Sequence, residues 1–215
     1  GSLYCVINSV LALGFDDTKF NWADLTPIAV EHKKLSSENE SDVNNAIDAN
    51  TSVIGIYASH DIVLASGLIG AFLTIDAASL LGKSSVGNDE QWVKDAGALR
   101  DLLRVTRTLK SEPKEVIAKT LGENAYEAFN ALIASASRQT KTILVGPGAI
   151  ALGFVALRSN SKLKDFLLVA NTPVVPAITE AIKFMGCKTI MNTKENVHPL
   201  AELALAVSAL KASEL

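Results

Sequence analysis

Arg100, Arg104 and Arg107 recur at i, i+4 and i+7 inside the stretch Asn88–Lys110. On a helix that spacing lines three guanidinium groups along one ridge. A guanidinium fork matches the oxygens of a phosphate, and side chains about 5–6 Å apart suit successive phosphates of a polymer. The chain has five arginines, all between positions 100 and 158, and three of them fall in this row. Lys110 just beyond it, with Arg138, Lys141 and Arg158, would extend a basic surface if the fold gathers them. The chemistry this pattern predicts is binding of a polyanion through its backbone, with single-stranded RNA as the favoured partner and a steep dependence on salt. No aromatic residues interleave with the row, so base stacking is not expected to add sequence choice.

A second candidate is Gly146-Pro147-Gly148-Ala149-Ile150-Ala151, which fits G-x-G-x-x-A. After a strand and at the head of a helix, such a turn presents backbone amides to a pyrophosphate, and Gly146, Gly148 and Ala151 would be the cofactor-contacting positions. Pro147 removes one amide from that turn, and Asn171 stands where an acid for a ribose hydroxyl is expected. A helix break between two packed helices explains the same letters. His32, His60 and His198 are scattered without clustered acids, so neither a metal site nor a bound cofactor is expected. Ser84, Ser85 and Cys187 have no evident base beside them, and no nucleophile or kinase signature occurs. Cys5 and Cys187 form no C-x-x-C pair, which points to free thiols in a reducing, cytoplasmic compartment.

The elements that must position these residues are mostly helical in pattern. Asn88 with Gln91 forms a capping pair, Asp89 and Glu90 follow in the first turn, and Leu99, Leu102, Leu103 and Leu109 give an apolar stripe. His60–Leu81 is apolar on nearly every side, which predicts a central buried helix, with Gly67 and Gly70 allowing close packing. Pro113 starts a helix that Gly122 stops, and Glu123–Gln139 is amphipathic. Thr51–Ala58 reads as a strand or a helix start. In the last third, Thr142–Val145, Phe166–Val169 and Thr189–Met191 read either as short strands between helices or as helices broken by Gly and Pro. The expected fold is therefore mainly α, a single multi-helical domain; the alternative is α/β with a βαβ-like C-terminal third.

Composition sets the outer bounds. The 215 residues are 48% hydrophobic and 20% charged, enough for one large core. Residues 3–87 form an acidic half and residues 88–215 a basic half: positions 1–99 carry 5 lysines and no arginine against 13 acids, a net −8, and positions 100–215 a net +5. Such asymmetry favours self-association or a polyanionic partner. The longest apolar run, Ile62 to Ile75, is shorter than the roughly 18–20 residues a membrane span needs.

In general build, alanine-rich and helical with a basic row on a central helix, the chain is similar to small helical nucleoproteins of RNA viruses. The leading reading is accordingly a self-associating, homo-oligomeric protein that binds nucleic acid, with the residues leaning away from an enzyme but naming no reaction that would decide it. Two other readings stay open: an α/β enzyme holding a nucleotide or small anion at Gly146–Ala151, and a helical scaffold for protein partners.

Overall fold

The computed structural model describes residues 9–14, 29–49, 53–83, 88–193 and 198–212. Cys5, Ser84 and Ser85 lie outside these residues, as does Thr26-Pro27, where a capping oxygen ahead of proline predicts the start of a short helix.

Six parallel strands form one sheet in the order β2-β1-β3-β4-β5-β6. They are β1 (Ser9–Gly14), β2 (Ala29–Lys34), β3 (Val53–Tyr57), β4 (Lys141–Val145), β5 (Leu167–Asn171) and β6 (Lys188–Met191). The register pairs Gly14 with Lys34, Leu13 with Ile56, Tyr57 with Val145, and Asn171 with Met191. The expectation of a mainly α, single helical domain is corrected: this is an α/β fold whose sheet runs from the acidic half into the basic half. Ser9–Gly14 is a strand, Val53–Tyr57 within the ambiguous Thr51–Ala58 is another, and so are the three C-terminal segments marked as strands in the alternative.

The physical reason is burial on both faces. Inner parallel strands are covered above and below, so they show apolar runs and lose the alternation that separates strand from helix. All five residues of β3 and of β5 are buried. Side chains still alternate between two cores. Leu11, Leu13, Ile54, Ile56 and Leu144 face one cluster, and Val10, Ala12, Val53, Ile143 and Val145 face another.

Among the described residues, the second, smaller cluster is closed by one helix, α9 (Pro199–Ala212), through Leu200, Leu203, Ala206 and Val207. The larger one is closed by α1 (Glu40–Ala49), α6 (Ala125–Ser137), α7 (Gly146–Ser159) and α8 (Pro176–Met185). Behind α7 lies α2 (Ile62–Phe72), packed also against α4 (Asp89–Thr106), α5 (Pro113–Leu121) and α8. The run expected as one helix over His60–Leu81 is two: it breaks at Leu73–Asp76, and Asp76 caps a second short helix, α3 (Ala77–Leu81). The glycines of α2 let side chains approach: a β-carbon on Gly70 would stand 2.5 Å from Leu80 and 2.8 Å from Leu103.

Candidate active site

In an open parallel sheet, ligands settle at the carboxyl ends of the strands, beside the point where strand order reverses. Here β1 leads to β2 on one side and β3 is added on the other, so the reversal lies at β1. The exits of β1, β3, β4 and β5 bring together residues far apart in sequence.

Tyr57 ends β3. Its ring lies over Gly14, where any side chain would collide with it, and its hydroxyl meets His32 Nε2 at 3.0 Å with the two rings stacked. Two strands on opposite sides of β1 are thereby tied across it. Ser59, His60 and Asp61 follow Tyr57, and Asp61 Oδ1 accepts the Val63 and Leu64 amides to cap α2. The neighbouring exit is Gly146-Pro147-Gly148, which joins β4 to α7 with Gly146 at φ +76°. The Gly148 amide donates to the Ser59 carbonyl at 2.9 Å, and a β-carbon on Gly148 would stand 2.5 Å from the Ser59 nitrogen. Only glycine permits that backbone crossing.

Below this turn sits Glu202 of α9, 7% exposed, whose Oε1 accepts the Gly146 amide at 3.3 Å. Burial drives its carboxyl up to about 7, a rise that the Gly146 amide partly opposes. At the next exit, Asn171 Oδ1 accepts the Thr172 amide at 3.0 Å and the Thr193 amide at 2.9 Å, tying β5 to β6. The helices α2, α7, α8 and α9 begin along this edge, past the exits of β3 to β6. The first-turn amides of α2 take Asp61, those of α7 take Glu202 and Ser59, and Leu200 of α9 takes His198 Nδ1. The start of α8 has Pro176 in its first turn and no side-chain cap.

The turn Gly146–Ala151 thus has the strand-turn-helix setting its pattern asks for, but its amides do not offer a cradle. Two are engaged within the chain, Pro147 has none, and Ala151 is fully buried. Sequence reasoning missed Glu202 and Tyr57 and noted Asn171 only as a departure from the dinucleotide pattern, because each becomes informative only when strands separated by many residues become neighbours. His60-Asp61 gave a partial signal, since an acid ahead of an apolar run marks a helix cap.

The basic row has a different fate. Arg107 turns inward: Nε donates to the Gly70 carbonyl and Nη2 to that of Leu73, each at 3.1 Å, and Nη2 also donates to Ile75. It therefore satisfies the carbonyls that end α2. Arg104 stays exposed, 3.8 Å from Asp101, and Arg100 is exposed as well. Arg138 forms a two-point ion pair with Asp48 of α1, which holds that carboxyl below its ordinary range. The Lys141 ammonium donates to the Asp165 carbonyl at 2.5 Å. Arg158 lies over the rings of Phe72, Phe154 and Phe184. Lys110 is exposed in the turn beyond α4. The fold does not gather these residues into one basic track. Among the described residues no group of three or more His, Cys, Asp or Glu is placed to hold a metal, and no helix is long and apolar enough to cross a membrane.

The sequence profile of a phosphoribosyltransferase family matches residues 49–210. The nicotinate-nucleotide–dimethylbenzimidazole phosphoribosyltransferase of Streptomyces avermitilis is 27% identical over 169 residues, 77% of this chain and 45% of that protein. The enzyme of the same name from Streptomyces coelicolor is 24% identical over 162 residues, 75% of this chain and again 45% of its own length. This chain spans less than half the length of these curated relatives. The crystal structure of CobT from Thermus thermophilus superposes with a TM-score of 0.71 at 13% identity, over 96% of this chain and 82% of that one, which shows the fold. These findings overturn the reading as an RNA-binding nucleoprotein with single-stranded RNA as its partner. The matching family is one of phosphoribosyltransferases, and of the basic row Arg107 is engaged within the chain while Arg100 and Arg104 are exposed.

Proposed function

The chain belongs to the phosphoribosyltransferase family that its residues 49–210 match, and we propose that it moves a phosphoribosyl group from a nicotinate nucleotide to a ring nitrogen of an aromatic base. The relatives named for that reaction supply the two substrates, and the C-terminal edge of the sheet supplies the place. One observation carries the reading: the matched span takes in β3 through β6 with α9, and so includes Tyr57, Gly146, Asn171 and Glu202.

In this transfer the acceptor's nitrogen lone pair forms a bond to the ribosyl carbon while the bond from that carbon to the pyridinium nitrogen breaks. The departing ring takes the electron pair and leaves as nicotinate. A benzimidazole acceptor then carries one N–H proton too many, which a base must remove. Glu202 fits that task, because a carboxyl poised near 7 exchanges a proton at neutral pH, where an ordinary one stays ionised. The donor's phosphate fits the start of α8, the helix of this edge whose first turn has no side-chain cap.

The test is direct. Purified protein is incubated with nicotinate mononucleotide and dimethylbenzimidazole, and released nicotinate and the new ribotide are separated by chromatography. Turnover is expected, and Glu202→Gln should lower it by about a hundredfold or more, the usual weight of a positioned base. A folded wild-type chain that releases no nicotinate in the presence of the acceptor refutes the reading.

A further inference from the structure

A cleft of 680 Å³ opens between α3 and α4, lined by Asp76, Trp92, Val93, Gly97, Arg100 and Arg104 among others. It is separated from the sheet by α2 and α7, and the transfer reaction makes no use of it. We propose that this cleft binds a small organic anion with a planar apolar body, of the class of aromatic carboxylates and sulfonates.

Three features of the lining specify that class. The first is an unmet hydrogen bond. Trp92 Nε1 is buried and has no acceptor among the described residues, and a buried donor left unpaired is the exception in folded proteins. Trp92 forms part of the cleft wall, and a turn of its ring that presents Nε1 to the cleft would let a ligand oxygen satisfy it.

The second is charge. Arg100, Arg104 and Arg107 face one acid, Asp76. That acid is already engaged, since its two oxygens accept the Ser79 amide and hydroxyl. Arg107 is taken up by the end of α2, whereas Arg100 and Arg104 remain exposed at the cleft, Arg104 with a long contact of 3.8 Å to Asp101. An anion is the complement of this arrangement.

The third is space. Gly97 sits in the middle of α4, where glycine costs helix stability relative to alanine. A β-carbon there would meet nothing within 4 Å. Gly70 of α2, by contrast, is pressed by Leu80 and Leu103, so close packing explains it and does not explain Gly97. The gap at Gly97 deepens a wall otherwise made of Ala77, Ala78, Val93 and Ala96. The volume lies within the range of about 300–1,000 Å³ typical of small-molecule sites.

The probe for the experiment is 8-anilinonaphthalene-1-sulfonate, added to the full chain and followed by its fluorescence and by the Trp92 indole N–H resonance, identified with Trp92→Phe. Saturable binding at one site is expected, with the indole resonance shifting in step. Arg100→Ala with Arg104→Ala should weaken binding about tenfold, the scale of one charge-assisted contact. Gly97→Phe should fill the cleft and abolish binding, and Gly97→Ala should retain it. Helicity by circular dichroism checks the fold of each variant, and the exposed arginine pair tests the same cleft if Gly97→Phe perturbs folding. An indole resonance that stays put at saturating probe overturns the proposal. So does binding indifferent to both the arginine pair and Gly97→Phe. A wild-type chain whose mass in light scattering falls on Gly97→Phe would assign the cleft to a second polypeptide and overturn it equally.

Discussion

At the carboxyl edge of the sheet, polar groups answer one another within the chain. Gly148 meets Ser59, Gly146 meets Glu202, Tyr57 meets His32, and Asn171 ties two exits. Along the α3–α4 cleft the indole of Trp92 has no acceptor among the described residues, and Arg104 has a partner only at 3.8 Å. The first arrangement fixes geometry in advance, which a reaction needs if its groups are to be in place before the substrate arrives. The second leaves its polar groups to be completed from outside. The contrast predicts that substitutions at the sheet edge will be costly and those at the cleft will be cheap.

The largest effect is expected from Gly148→Val. Its β-carbon would fall 2.5 Å from the nitrogen and 2.7 Å from the oxygen of Ser59, and backbone cannot swing aside as a side-chain tip can. A cost of about 3 kcal/mol or more follows, read as a fall in Tm on the order of 10 °C. If Gly148→Val melts like the wild type, the edge is not the rigid partner in this comparison.

Next comes Glu202→Gln, whose effect is on pH dependence. The folded carboxyl titrates near 7 and the unfolded one near 4.5, so the folded state holds its proton more tightly. The stability this provides is complete below about 4.5 and is lost as pH rises through 7, amounting to about 3 kcal/mol between the two limits. Glutamine keeps an acceptor for the Gly146 amide and cannot ionise. Urea midpoints measured at pH 5 and pH 8 should therefore separate for the wild type and converge for Glu202→Gln. An equal pH dependence in both chains would place the titration elsewhere.

Arg107→Ala sharpens the contrast from the cleft side, because this arginine lines the cleft yet belongs structurally to α2. Removing it leaves the carbonyls of Gly70, Leu73 and Ile75 without their donor, a loss of about 2 kcal/mol. Arg100→Ala should cost almost nothing in the same denaturation experiment. Equal costs would show that the row acts as one unit.

How much of this was legible depended on how local the signal was. The Asn88 side chain caps α4 by accepting the Gln91 amide at 2.7 Å, as the spacing predicts, and Pro113 and Gly122 bound α5. Such features need only a few neighbouring residues. The sheet needed more. Val53 pairs with Lys141, and five helices intervene between those strands. Val-Ile-Gly-Ile-Tyr, buried on both faces, carries no alternation to separate strand from helix. The arginine row was visible as a spacing, but spacing does not show that Arg107 reaches back to carbonyls more than thirty positions earlier. Glu202 is a lone acid in an apolar helical run and gave no signal until β4 placed the Gly146 turn against it.

The smallest effect runs in the opposite direction. Gly97→Ala puts a methyl into open space, in a helix where glycine keeps extra freedom in the unfolded chain, so it should stabilise by about 0.5–1 kcal/mol. Gly70→Ala is the matched control one helix away: the same propensity gain is offset by contacts of 2.5 Å with Leu80 and 2.8 Å with Leu103, and the net change should be destabilising. Opposite signs for the two substitutions in thermal denaturation would separate a glycine kept for packing from one that leaves room. Should Gly97→Ala also destabilise, the cleft wall is closed in solution, and the openness on which the comparison rests is lost.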